Sequence, residues 1–198
     1  MRPNRPLLTT TLALVLVAPA LAEPPAAGDP AVKRVELTFE GGHDTDPRDR
    51  GRPVVLIASA LGVPEDVFRE AFKRVKPAPA GEKPDPEQVR KNKKALMDAL
   101  AKYGVTNDRL DEVSNHYRYR REAGEMWPTK PAKAVALVEG GKITGFEITD
   151  AGEGYSSPPR ATVPGIEGAV KVELGFDKAF EKNGRVAKLA VANPEKDK

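Results

Sequence analysis

The earliest clear pattern in the chain is an alternation in which Val35, Leu37 and Phe39 are apolar while Arg34, Glu36, Thr38 and Glu40 are polar. A period of two puts the apolar set on one face, so a strand is expected over 33–40, ended by Gly41-Gly42. The pattern then changes. From Pro53 an apolar, alanine-containing run, VVLIASAL, stops at Gly62, as a buried helix would. Val63-Pro64 opens a second helix with Val67, Phe68, Ala71, Phe72 and Val75 as its apolar stripe and Glu65/Arg69 and Glu70/Arg74 as i,i+4 pairs on its wet face. Prolines 77, 79 and 84 mark a loop, and Asp85-Pro86-Glu87-Gln88 reads as a capping box that starts a third helix carrying Val89, Leu96, Leu100 and Tyr103.

That helix stops at Gly104-Val105 before an acid-capped fourth helix, just as the first stops at Gly62-Val63. In both places glycine supplies a left-handed cap and valine packs back on the helix just ended. Two helix-Gly-Val-helix hairpins stacked together bury stripes that neither buries alone.

Beyond Glu125-Met126-Trp127-Pro128, where the single tryptophan can plug a boundary, the period returns to two. Residues 134–138, a Gly140-Gly141 turn and residues 142–149 form a hairpin, with a bulge expected near Gly145 because Ile143 is out of phase with Phe146 and Ile148. Val170, Val172, Leu174 and Phe176 alternate cleanly, and after Asn183-Gly184 a last strand places Ala187, Leu189 and Val191 on one face. Residues 141–150, GKITGFEITD, recur in type as GRVAKLAVAN at 184–193, two related strands of one small sheet. The class expected is α+β: a four-helix region, 46–126, inserted between an N-terminal strand, 33–40, and a small C-terminal antiparallel sheet in a β module, 127–193. A lone strand cannot satisfy its backbone groups or bury its apolar face, so 33–40 should join the C-terminal sheet, with Leu37, Phe39, Leu174 and Phe176 in one core. Residues 194–198 read as a polar tail.

Composition adds a compartment. Arg2 and Arg5, an apolar run over 7–18 and the A-x-A site Ala20-Leu21-Ala22 make residues 1–22 a secretory signal peptide, with a flexible Pro/Ala/Gly leader over 23–32. The apolar run is shorter than the roughly 20 residues of a spanning helix, and no later segment approaches that length. Export is therefore expected, to the periplasm or outside the cell, with no transmembrane segment after cleavage. The formal net charge of +3 includes those two signal arginines, so the remainder is close to neutral and gives little support to a polyanion partner on charge alone. Zero cysteines exclude disulfides, thiol catalysis and cysteine metal sites.

Candidate chemistry is sparse. Carboxylates beside His43 at Asp44, Asp46 and Asp49 invite a metal, but an EF-hand loop begun at Asp44 would need an oxygen ligand at Arg48 and an acid at Val55. The segment reads instead as a turn: Asp46 as N-cap, Pro47 at the first helical position and Asp49 in the first turn. No metal site, cofactor or catalytic residue is assigned. Gly152-Glu153-Gly154 lacks the third glycine and the helix of a dinucleotide fingerprint, and no G-x-S-x-G elbow occurs. The fourth helix ends in basic residues interleaved with aromatics, and Tyr117, Arg118, Tyr119, Arg120 and Arg121 are the candidate binding residues, suited to an acidic polymer. The same residues suit a helix C-terminus, where cations complement the dipole. A DNA-reading helix-turn-helix is set aside because of the signal peptide.

Residues 138–163, with GKITGFEITDAGEGYSSPPRATV, resemble the short GSGYTSAP-type β repeats of bacterial surface and fibre proteins, which implies a structural or adhesive module. The match departs at Ala151-Gly152-Glu153-Gly154, so it implies fold more than activity. With GGHDTDPRDRGRPVVLIASALGV and KYGVTNDRLDEVSNHYRYR, the whole chain resembles a family of uncharacterised exported bacterial proteins, which implies no particular activity. The balance favours a non-catalytic binding or scaffolding protein with an envelope or extracellular partner. The alternative is a small extracytoplasmic enzyme using carboxylates and His43.

Overall fold

The alternation at 33–40 does produce extended backbone, but not one strand. The computed structural model describes residues 32–76, 85–118 and 124–192, and in it the segment is broken at Leu37. Strand β1 (Lys33–Glu36) pairs antiparallel with β3 (Lys133–Glu139), which pairs in turn with β4 (Lys142–Asp150). Strand β2 (Thr38–Glu40) crosses to a second sheet, β2-β5-β6-β7, where it pairs with β5 (Arg160–Thr162). The single C-terminal sheet of the sequence reading is thus two antiparallel sheets joined at a corner. The physical reason lies at Leu37: its N–H donates to Ala134 O, ending the first ladder, while its side chain packs with the apolar groups of both sheets. A strand that switches sheets in this way gives each sheet an apolar neighbour.

Strands β6 (Val170–Gly175) and β7 (Arg185–Val191) complete the second sheet. The bulge expected in β4 is present: Leu137 faces Gly145 but Val138 faces Ile143, so Thr144 is the extra residue. The related strand β7 carries its own bulge at the equivalent place, since Glu173 faces Lys188 and Leu174 faces Val186, leaving Ala187 over. That extra residue shifts the phase. Val186 is only 1% exposed and joins Leu189 at the core, while Val191 is 52% exposed, so Ala187, Leu189 and Val191 do not share a buried face. Leu174 packs with Leu37 and Phe39 as expected, but Phe176 lies past the end of β6 and is exposed.

The helices are α1 (Val54–Leu61), α2 (Glu65–Phe72), α3 (Pro86–Leu100) and α4 (Asn107–His116). Both Gly-Val joints form. Gly62 and Gly104 sit at φ +72° and +82°, in the left-handed region where a Cβ is disfavoured, and Val63 and Val105 are buried behind them. Helix α1 has Val54, Leu56, Ala58, Ala60 and Leu61 buried, the environment its all-round apolar sequence demands. Thr106 caps α4 by accepting from Arg109 N–H. In α3 the stripe runs through Leu96, Met97 and Leu100, leaving Val89 exposed, and Tyr103 is exposed in the short 3-10 turn that follows. Glu70 pairs with Lys73 rather than Arg74. The helices and strands described all belong to one compact unit, Val32–Lys198.

Candidate functional site

Two loops meet where the chain leaves β2 for the helical region. Residues 41–46, GGHDTD, follow β2; residues 152–159, GEGYSSPP, follow β4. Gly42 O accepts from the N–H groups of Ser156 and Ser157 at 3.0 and 3.1 Å, Ser156 Oγ donates to Asp44 O at 2.7 Å, and Ser157 Oγ accepts from Asp44 N–H at 3.0 Å. Ser157 Oγ also donates to the Asp44 carboxylate at 3.2 Å. Both serine hydroxyls are therefore engaged on the facing loop.

Tyr155, 3% exposed, anchors the second loop: its hydroxyl accepts from Ala132 N–H and its ring stacks on His43 at 5.3 Å. Trp127, buried with the helical core, meets that imidazole edge-on and donates from Nε1 to Gly154 O at 2.8 Å. His43 Nε2 is buried without a hydrogen-bond partner. Burial pushes the imidazole pKa down, and the neighbouring Asp44 opposes that only in part.

The acids of the next turn are held by arginines. Asp46 caps the 3-10 turn Pro47–Asp49 through Arg48 N–H and grips the Arg48 guanidinium, which holds its pKa down at about 2. Asp49 is 3% exposed, and both its oxygens accept from Arg69 on α2 at 2.9 and 2.8 Å. Arg69 also binds Glu65 and Asp66, and these hydrogen bonds, first among them the one to Asp49, raise its already high pKa. Beside this cluster opens a cleft of about 600 Å³ lined by Asp44, Asp46, Asp49, Arg69, Glu173 and Phe176 among others; His43 does not line it. Across Arg52 and Arg69 lies a second cleft of about 670 Å³ with Arg48, Arg50, Arg52, Phe72 and Lys73 in its walls.

A buried polar joint ties the helices to the β module. Asn183, 0% exposed, donates from Nδ2 to Leu56 O in α1 and to the Tyr117 hydroxyl after α4, both at 2.8 Å, and accepts from Asp177 N–H. Burial pushes the Tyr117 phenol up to about 12, with the Asn183 hydrogen bond pulling the other way. The adjacent Gly184 lies against the Tyr155 backbone and Leu56, so a Cβ there has no room. His116 stacks on Phe180 at 3.9 Å, and desolvation lowers its pKa.

Of the candidate binding residues, Tyr117 is 4% exposed and turned into this joint, Arg118 is exposed, and Tyr119, Arg120 and Arg121 lie outside the described residues. Residues 1–31 and 193–198, which hold the expected signal peptide, all but the last residue of the expected leader, and the expected tail, also lie outside them. The turn acids pair with Arg48 and Arg69. Among the described residues no group of three or more His, Asp or Glu side chains is placed to hold a metal ion, and no helix is long and apolar enough to cross a membrane. Sequence reading missed Arg69 as the partner of Asp49, because that pairing joins a turn to a separate helix, and took Asn183 for a turn residue only. Arg50 and Arg52, which help to line the second cleft, were likewise missed, because an alternation of arginines in an irregular turn does not show that they converge. Compared with protein-family models, with curated proteins and with solved structures, the chain finds no match in any of the three.

Proposed function

We propose that this α+β protein is an exported, non-catalytic binding or scaffolding module of the cell envelope. The observation that carries the reading is the state of the junction. His43, the histidine nearest the carboxylates, is stacked on Tyr155 and away from the acidic cleft, while Ser156 and Ser157 are bonded to Asp44. A nucleophile needs a base within hydrogen-bond reach, and a general base needs an open path to substrate. In the cleft Asp46 and Asp49 are held by Arg48 and Arg69, and Ser157, whose hydroxyl donates to Asp44, is not among the residues that line it. What the junction does provide is a rigid frame carrying charged clefts, which is the requirement of a binder. The basic start, apolar run and A-x-A site of residues 1–22 support export.

The test combines a compartment and a capture measurement. Protein recovered outside the inner membrane should begin at Glu23, and the immobilised protein should retain a saturable component of envelope extract. Hydrolysis of ester, glycoside or phosphate substrates that vanishes in His43→Gln would replace this reading with the enzyme.

A further inference from the structure

We propose that the second cleft, between the Pro47–Arg52 turn and α2, is a binding site for a phosphate monoester or a related multivalent phosphate group. The assignment rests on the reading of the protein as a binding module and names the chemistry of its ligand.

Three arginines at alternate positions, Arg48, Arg50 and Arg52, all line this one cleft of about 670 Å³. Alternation in an irregular turn does not by itself converge side chains, so their convergence is a product of the fold. Each is held differently. Arg48 is fixed through its own turn by Asp46, and the Arg52 guanidinium lies 4.1 Å from the centroid of the Phe72 ring. Arg50 is exposed and has no carboxylate partner among the described residues. It is also the one non-glycine described residue at positive φ, +51°. A bulky side chain in that region is strained, and such strain is retained where the surrounding structure enforces it and concentrates at ligand sites.

Charge selects the ligand class. Of the five cationic side chains in the lining, Arg48 and Arg69 are tied to carboxylates, so the charge open to a ligand is carried first by Arg50. A phosphate monoester carries about −1.5 to −2 near neutral pH, so a guanidinium without a carboxylate partner is drawn to it more strongly than to a single carboxylate. The planar guanidinium presents paired donors that fit phosphate oxygens two at a time. Lys73 at the end of α2 adds a point charge; its partner Glu70 is as exposed as it is, so their pairing is weak and open to competition.

The test is titration calorimetry of the full chain with inorganic pyrophosphate at low ionic strength, followed by two sources of phosphate ester. One saturable site per chain is expected, weakening as salt rises. Arg50→Gln should reduce affinity at least about tenfold, Arg50→Lys less, and Arg160→Gln, at an exposed arginine outside the cleft, should leave it unchanged. Absence of saturable binding, or equal affinity in Arg50→Gln, overturns the site. Glucose 6-phosphate and a purified phosphorylated polysaccharide then distinguish a free small ester from an envelope polymer, the polymer binding more tightly if it is the ligand. Polygalacturonate, which offers carboxylates alone, should bind at least tenfold more weakly than the phosphorylated polymer; parity overturns the phosphate assignment. Capture from envelope extract separates the two levels of the argument. Capture that persists in Arg50→Gln removes this site and leaves the binding reading standing, while no capture by the parent chain removes that reading itself.

Discussion

At the scale of single residues, the most exacting position is Asn183, which holds three elements with one amide. Asn183→Ala leaves Leu56 O and the Tyr117 hydroxyl without this donor in a buried site, at a cost of about 2 kcal/mol measured by urea unfolding. Arg50 should behave in the opposite sense. Arg50→Gly relieves a left-handed backbone, so its melting temperature is expected to rise even as anion affinity falls; a lower one would show that the arginine side chain stabilises the turn. The two histidines predict a pH dependence. Both have pKa values lowered by burial from the ordinary 6.5, so the unfolded chain binds the extra protons. Stability contributed by the neutral rings is full above about pH 6.5 and is lost as pH falls from there toward the folded-state values. Urea midpoints at pH 7.5 and 5.5 should differ in the parent and converge when both histidines are replaced by phenylalanine.

At the scale of elements, the bulges decide which side chains are inside. Deleting Ala187 would restore a plain alternation in β7 and move either Val186 or Leu189 out of the core, because a shift of one residue exchanges the faces of a strand. The deletion should therefore destabilise far more than Ala187→Ser, which keeps the count; equal midpoints for the two variants would mean that the bulge has no such role. The element pattern was largely legible: the two Gly-Val helix joints, the β3-β4 hairpin and its bulge follow from glycine conformation and from the phase of Ile143 against Phe146. The β7 bulge was not legible, since Ala187 fits either phase and small residues carry little facing information. The corner at Leu37 was hidden for a related reason: both halves of 33–40 have the same alternation, and nothing local says that they serve different sheets.

At the scale of the whole molecule, the helical region and the β module share a buried joint at Asn183, Tyr117 and Leu56 and a second contact from Trp127 to Gly154. Elements tied in this way should unfold together. Fluorescence of Trp127, the sole tryptophan, and far-ultraviolet dichroism, dominated by the helices, should give coincident urea transitions. Two separated transitions would show that the modules are energetically independent. The same arrangement explains why the candidate site was only half visible: the polar turn near His43 stood out in composition, yet its partners come from α2 and from the loop after β4, both distant along the chain.

The amino-acid sequence by itself determined the periodicities, and with them the four helices, the class and the need of residues 33–40 for a C-terminal partner, because backbone satisfaction and one-sided burial are local demands with few solutions. Only the tertiary structure decided that this partner is two sheets, that His43 faces Tyr155 rather than the acidic cleft, and that Arg48, Arg50 and Arg52 converge. Those outcomes depend on which distant groups arrive at each side chain, and long-range packing of that kind leaves no period in the sequence to read.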